Sequence, residues 1–552
     1  MRALPIAAFC CAALPVLFVA APLLGEGPGV LLGHPTGDLA DHLQGALEVG
    51  DALLAGEWPD QTRRSHVPDV VPLVYPDPVG ALLVTALRPL GVAAAWNGAL
   101  LLQIAATGLV GFGLGAHLLA SRRAGLVVGI ALATSPYLLG LLHGGLAEYI
   151  GVASLIAAIG ALLRALELDP QGRPGGPRWV AAAGLLGGLA FVQAAYHGLF
   201  VGLVGLCALP GPGLGRRLRA LLGAGLLGGL VAAPWAWALL GSLGAGGAVH
   251  AGNAPGWRQA TAPMVDLLGF VRPGAHYFPD TPALGNPGIL QVHYLGAVLL
   301  GLAIVGAWRE PTLRRRWGPL TLGLGLLALG PALCVAGARL VPLPLALLYL
   351  PGSPFSLLHH PYRLVAALLP LLALFAAAGL RRAPGFGLAA ALTAMLAETV
   401  LASPAPWPVA TTRIPVVAGL EALPPGHLLD WPPDASTANR QYQLAQAGHG
   451  RPIPYGVNVF LPDRLREDEL VASLFAALDD AQGRARNRDV PGARLRRVGV
   501  QGPRLRAWGF AGVALHEAHL TAAEAARARA ILEGALGAPV GVEGGVALFV
   551  LR

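Results

Sequence analysis

Apolar and polar residues fall along this chain in long blocks rather than at short period. Apolar runs of about 17–25 residues, the length that crosses a bilayer, recur as far as residue 402. They lie near 5–24, 92–120, 124–142, 146–166, 178–195, 198–214, 218–241, 291–308, 318–336, 364–380 and 385–402, and they predict eleven transmembrane helices. The first follows Arg2 in the manner of a signal peptide. Val19-Ala20-Ala21 runs into Pro22, a poor cleavage context, so the segment reads as an uncleaved span. Two amphipathic stretches lie in the loop 25–91. In the first, Leu39, Leu43, Ala46, Leu47, Leu53 and Leu54 share one side of a helical wheel, and Asp41, Gln44, Glu48 and Asp51 share the other. That pattern predicts a helix lying in the membrane interface with its acids toward water. Residues 78–90 predict a second one.

From about residue 403 the pattern becomes that of a soluble α/β domain. Leu428-Leu429-Asp430-Trp431 reads as a strand, as does 505–516. Thr521 with Glu524 is a capping box opening a helix through Leu536. Residues 540–542 and 546–551 form a hairpin across Gly544-Gly545. The expected fold is therefore an α-helical polytopic membrane protein, transmembrane over 1–402, with an extracytoplasmic α/β domain over 403–552.

Composition agrees. The chain is 55% hydrophobic and 12% charged, against about 25% charge in soluble proteins. Its net charge is +8 and every basic residue is arginine. No arginine–aromatic cluster of the nucleic-acid-binding type occurs, so a nucleic-acid partner is not expected. The arginines instead read as topology. Arg2, Arg122-Arg123, the stretch from Arg164 to Arg178, Arg216-Arg217 with Arg219, Arg314-Arg315-Arg316 and Arg381-Arg382 fall on alternate loops and mark one cytoplasmic side. The N-terminus is then cytoplasmic. Loops 25–91, 243–290 and 337–363 and the C-terminal domain face outward. Dividing 178–214 at 193–197 is what keeps the later arginines on that side. Cys10, Cys11, Cys207 and Cys334 lie in apolar runs without a C-x-x-C spacing, so neither a disulfide nor a metal cluster is expected from them.

The candidate chemistry gathers at the outward ends. Asp38 directly precedes the first amphipathic helix, where an aspartate either caps the free N–H groups or serves as a reactive carboxylate. Asp41, one turn on, could raise its pKa, share a cation, or sit on a solvated face. His34 and His42 flank these acids; the set could hold a divalent metal, though the spacing matches no defined site. Arg363, preceded by His359 and His360, stands before a late span, where it either holds a lipid phosphate or snorkels to the interface. Glu148, at the outer end of the fourth span, is costly if buried. Tyr196 and His197 interrupt an apolar stretch and read as a helix-end pair. His449 and Arg451 either close over an acceptor or hold their own loop.

Asp38 followed by Gly56-Glu57-Trp58-Pro59 and Tyr75-Pro76, then Tyr137, His143 and Glu148, His360-Pro361-Tyr362-Arg363, Leu428-Leu429-Asp430-Trp431-Pro432 and His449-Gly450-Arg451-Pro452-Ile453 resemble, over nearly the whole chain, the YfhO-like bacterial multi-spanning membrane proteins of the GT-C glycosyltransferase class. The resemblance implies many spans, an outward active site, a polyprenyl-phosphate-linked sugar donor and a first-loop acid as base. It further implies the bacterial cytoplasmic (inner) membrane and a cell-envelope acceptor. Trp58-Pro59 stands where the usual Trp-x-Pro would follow the first-loop glycine. A transporter or flippase of lipid-linked glycans and a non-catalytic membrane scaffold are the competing readings. A transporter should carry charged or broken helices near the midplane. Here the spans are almost free of charge and the acids gather at the outer surface.

Overall fold

The computed structural model describes residues 3–73, 75, 77–169, 175–210, 213–244, 265–272, 290, 292–349, 360–433, 438–456, 461–478 and 503–551. His359 and most of the predicted loop 243–290 lie outside them. The chain divides into two compact units. The first comprises Met1–Leu39, Pro76–Trp237 and Ala254–Thr412, the second Ala40–Tyr75, Ala238–Asn253 and Arg413–Arg552.

In chain order the first unit begins with α1 (Ala3–Ala20) and β1 (Val30–Leu32). Next in the chain is α2 (Leu39–Leu54), which belongs to the second unit from Ala40 on. The first unit continues with α3 (Pro78–Leu87), α4 (Val92–Leu118), α5 (Arg122–Ala133), α6 (Pro136–Gly144), α7 (Ala147–Ile150) and α8 (Ala153–Ala165). After these come α9 (Pro177–Gln193), α10 (Ala195–Cys207), α11 (Leu214–Gly244, in the first unit as far as Trp237), α12 (Ala297–Arg309), α13 (Pro311–Ala328), α14 (Val365–Leu380) and α15 (Gly385–Ala402).

A helix occupies each of the eleven apolar runs. Among the described residues seven helical stretches are long and apolar enough to cross a membrane, and Pro78–Leu90, Ala195–Cys207 and Ala297–Arg309 are shorter apolar helices. The stretches Arg122–Gly144 and Pro361–Leu380 are 94% buried and form the middle of the unit, whereas Leu214–Leu240 and Gly385–Ala402, at 17%, are peripheral. Glycine lets α4 and α5 cross closely. A Cβ on Gly115 would lie 2.7 Å from the Ala124 carbonyl oxygen, and one on Gly129 would lie 2.6 Å from that of Gly108. The apolar run 178–214 breaks at Ala194, whose backbone is extended. The chain then doubles back: a Cβ on Gly187 would touch Val201, and one on Gly198 would touch Phe191.

Three predicted spans are shorter than expected: 198–214 and 291–308 correspond to the 13-residue helices α10 and α12, and 318–336 also falls short. The run 318–336 is helical only to Ala328, and 332–335 is a strand, β2 (Ala332–Val335), hairpinned with β3 (Ala338–Pro342). The reason is local. Gly330 sits at φ 92° and Pro331 follows it, so the helix cannot continue.

After β4 (Thr411–Arg413) the second unit contains β5 (His427–Trp431), α16 (Ala438–His449), α17 (Asp463–Arg466), α18 (Glu469–Ala476), α19 (Pro503–Ala507), β6 (Phe510–His516), α20 (Ala522–Leu536), β7 (Gly541–Glu543) and β8 (Val546–Val550). Its sheet has the order β5-β6-β8-β7, with β5 parallel to β6 and the other pairs antiparallel. Every residue of β6 is buried, which fits a strand covered on both faces. The strand expected over 505–516 starts later, at Phe510, because 503–507 is a short helix and Gly509 turns the chain at φ 86°. The capping box at Thr521 and Glu524 is present, and Ala528, Leu532 and Leu536 carry α20 onto the core.

The second unit also corrects the reading of α2 as an interfacial helix. Gln44 and Glu48 on its polar side are buried. Glu48 accepts from the Arg63 N–H at 2.6 Å, the Arg64 N–H at 2.9 Å and the Ser65 hydroxyl at 2.7 Å. Gln44 donates to Gln446 at 2.7 Å, and Gln443 donates to both Gln44 and Asp41 at 2.9 Å. The polar stripe meets protein rather than water. Burial pushes the Glu48 carboxyl up, against the hydrogen bonds that favour its charge.

Candidate functional site

Asp38 is reached through a chain of hydrogen bonds in the first unit. The Asn97 side chain accepts from the Leu32 N–H at 2.8 Å and donates to the Val30 carbonyl at 2.8 Å. The Trp96 indole donates to the Leu32 carbonyl at 3.1 Å. The Gly33 N–H donates to the Ala410 carbonyl at 2.8 Å, and the Thr412 hydroxyl donates to that of Gly33 at 2.6 Å. The loop then lies on the turn that ends α6. The His34 N–H donates to the His143 carbonyl and the Asp38 N–H to that of Gly144, each at 2.7 Å. Two glycines make this approach possible. A Cβ on Gly37 would sit 2.5 Å from the Gly144 carbonyl oxygen. Gly145 has φ 68°, and a Cβ there would lie 2.5 Å from the Leu39 Cα.

That turn leads within a few residues to Glu148 and Tyr149 in α7. Tyr149 meets Arg363, which lies in the 3₁₀ turn Pro361–Leu364 before α14. The Arg363 guanidinium carbon is 3.8 Å from the Tyr149 ring centre and 5.1 Å from that of Tyr196. Tyr137 donates to the Arg363 carbonyl at 3.4 Å. Glu148 is close enough to Arg363, Tyr137, Tyr149 and His197 to act on their charge. Arg363 is buried, and its Nε has no hydrogen-bond partner among the described residues. His197 is fully buried with both ring nitrogens in the same condition. Its ring packs at 6.0 Å from Tyr149 and 6.2 Å from Phe200. Such a wall of aromatic faces around a dry cation, with donor capacity left over, fits a bound anion.

The apolar pattern did not single out three residues beside this wall. Asp77 caps α3 by accepting from the Gly80 N–H at 2.7 Å, and it also accepts from Gln193 at 2.9 Å. Gln193 lies 3.5 Å from Gln103, and a Cβ on Gly151, directly after α7, would strike both amides. The available signal was two glutamines inside otherwise apolar runs, where a polar group is costly unless partnered.

The remaining candidates are distributed as follows. His360 packs its ring 5.8 Å from Tyr362, beside Arg363. Asp41 belongs to the second unit, held by Gln443 at 2.9 Å and lying 3.8 Å from Arg440. His42, also there, packs on the Tyr75 ring at 6.1 Å. Arg451 gives its guanidinium to the backbone carbonyls of Leu420, Leu423, Pro424 and Gly426, and the His449 Nδ1 accepts from the Arg451 N–H at 3.0 Å. Burial pushes the His449 and His34 rings down. His34 Nδ1 is engaged by Thr36, Asp41 is engaged by Gln443, and among the described residues no group of three or more His, Cys, Asp or Glu side chains is gathered.

No family model matches the sequence, and no curated protein matches it. Among solved structures, ArnT from Cupriavidus metallidurans in the apo state aligns at 18% identity and a TM-score of 0.40, over 68% of this chain and 61% of that one. The same protein bound to undecaprenyl phosphate aligns at 18% identity and 0.40, over 70% and 62%. The chain thus spans under two thirds of ArnT. Arabinofuranosyltransferase AftD from Mycobacteria aligns at 17% identity and a TM-score of 0.51, over 100% of this chain and 41% of that one. In its fold, this chain is similar to a membrane glycosyltransferase of the GT-C class.

Proposed function

We propose that this chain is an integral membrane glycosyltransferase of the YfhO-like kind. In this reading it moves a sugar from a polyprenyl-phosphate-linked donor to a cell-envelope acceptor outside the bacterial cytoplasmic membrane. The alternating arginine loops support a cytoplasmic N-terminus and an extracytoplasmic C-terminus. The observation that carries the chemistry is Arg363, a buried guanidinium stacked on Tyr149 and Tyr196 with its Nε unpartnered among the described residues. It is joined through the segment 143–149 to the turn on which Asp38 rests.

The acceptor hydroxyl oxygen bonds to the anomeric carbon as the bond from that carbon to the phosphate oxygen breaks. Asp38 takes the hydroxyl proton, and the electron pair leaves on the phosphate. Arg363 holds that phosphate, since its planar fork matches the oxygens and the stacked rings fix its plane. Glu148 sets the local charge around Arg363.

The test is transfer of labelled sugar from a polyprenyl-phosphate donor in membranes carrying each variant. Asp38→Asn keeps a capping oxygen and loses the base, so turnover falls about 10²–10⁴-fold while stability barely moves. Arg363→Lys keeps the charge and loses the fork, so donor affinity weakens in a folded protein. Asp41→Asn costs less, because that carboxylate is occupied by Gln443. Parent-like transfer by Asp38→Asn would exclude Asp38 as the base.

A further inference from the structure

Helices α9 and α11 run in the same direction and touch along small residues. A Cβ on Gly184 would lie 2.7 Å from the Ala224 carbonyl oxygen, and one on Gly188 would lie 2.7 Å from that of Gly228. Beside their N-terminal turns lies an open cavity of about 490 Å³. Its lining combines Arg216, Arg217, Arg219 and Glu167 with the apolar Val180, Gly223 and Leu227.

The charges do not cancel. Arg216 pairs with Glu167 at 3.2 Å, but both side chains are largely exposed, so the pair is weak. Arg217 gives one nitrogen to the Ala208 and Pro210 carbonyls, at 3.2 and 2.9 Å. Two helix N-termini open at the same end, and their partial positive charge adds to that of the arginines. On the flank of α11, Leu218, Leu222, Leu226 and Leu230 are exposed in a row, as befits a helix face turned to lipid tails. A lining that joins arginines to apolar side chains, beside a lipid-facing stripe, matches an amphiphile with an anionic head.

We propose that this cavity binds an anionic phospholipid, with its headgroup phosphate at Arg216 and Arg219 and a chain along Gly223 and Leu227. The site is separate from Arg363 and Asp38, and binding there is read without any sugar transfer.

The test uses the full chain in detergent, mixed with phosphatidylglycerol or with phosphatidylcholine of the same acyl chains, and reads bound lipid by native mass spectrometry. The parent should retain phosphatidylglycerol at least about ten-fold more tightly, the scale of a few charge-assisted contacts. Arg216→Gln with Arg219→Gln should abolish that preference. Gly223→Leu keeps every charge but adds bulk to the apolar lining beside Val180, and it should also weaken retention; it guards against a misfolded double variant. Arg314→Gln with Arg315→Gln, in α13, should leave the preference intact. Equal retention of the two lipids, or a parent-like preference in the double variant or in Gly223→Leu, would overturn the proposal. So would displacement of the lipid by millimolar inorganic phosphate, which would mark a site for free phosphate.

Discussion

Arg363 and Arg451 look alike in the sequence. Each stands two or three residues after a histidine and next to prolines or glycines. Their surroundings separate them. Arg451 spends its donors on four backbone carbonyls from 420–426, a segment that sequence spacing does not bring near it. Arg363 stacks on rings and keeps an unpartnered Nε among the described residues. A loop clamp and the arginine we propose as an anion holder thus share one local pattern, and only non-local partners distinguish them. His66 carries a prediction at the same scale. It is buried against Ser65, and burial lowers its pKa from 6.5 to about 4. The unfolded chain therefore binds a proton between those values that the folded chain refuses. The contribution of His66 is complete above pH 6.5 and is lost as pH falls toward 4, by up to about 3 kcal/mol. Glu48 works in the opposite sense: its raised pKa favours the folded state as pH falls. The parent must therefore be compared with His66→Gln. Denaturant unfolding of both from pH 8 to 5 should show the parent losing stability relative to the variant below pH 6.5. A difference that stays flat across that range would sink this account.

At the scale of elements, apolar run length located helices, seven of which among the described residues are long and apolar enough to cross a membrane, because the bilayer sets that length and little else competes. The sequence was less informative where a run ended for a local reason, as at Gly330-Pro331, where the helix gives way to β2. It misread α2 for a different cause. A polar stripe is the same pattern whether it meets water or buried amides, and here it meets Gln443, Gln446 and the loop 63–65. The crossing of α4 and α5 depends on missing side chains, which hydropathy does not register. Gly129 is the critical position, since a Cβ there would meet both the Gly108 carbonyl at 2.6 Å and Cys11 Sγ at 2.7 Å. Gly129→Leu has to push α1, α4 and α5 apart. It should lower stability by about 3 kcal/mol or more, beyond the usual cost of overpacking because the obstacle is backbone. Gly113→Leu, at a position with open space on the partner helix α4, should cost little. Melting of the two variants in detergent checks this, and equal midpoints would refute the close crossing.

At the scale of the whole molecule, the tail beyond the change of composition near residue 403 contains the capping box at Thr521 and the pairing of β7 with β8. That change did not reveal that 40–75 packs with 413–552, because the contacts join segments some four hundred residues apart in sequence. The joining groups are polar and buried. Gln446 donates to the Arg64 carbonyl, and the Ile453 N–H donates to that same carbonyl at 2.8 Å. Gln443 serves Asp41 and Gln44, and Val67 lies in the hydrophobic cluster with Leu428, Trp431 and Tyr455. We propose that 40–75 and 413–552 fold together. Removing 40–75 would leave Gln443, Gln446 and the Ile453 N–H without these partners, at about 1–3 kcal/mol for each group that stays buried. Those losses together approach the whole stability of a small domain. The expected outcome is that 413–552 expressed alone shows a weak or absent cooperative transition. A chain in which 40–75 is joined to it by a flexible linker should unfold in a single transition, and Gln446→Ala within that linked chain should lower its midpoint. If 413–552 alone unfolds as cooperatively, and at the same denaturant concentration, as the linked chain, the first loop is a guest on a finished domain rather than part of its core.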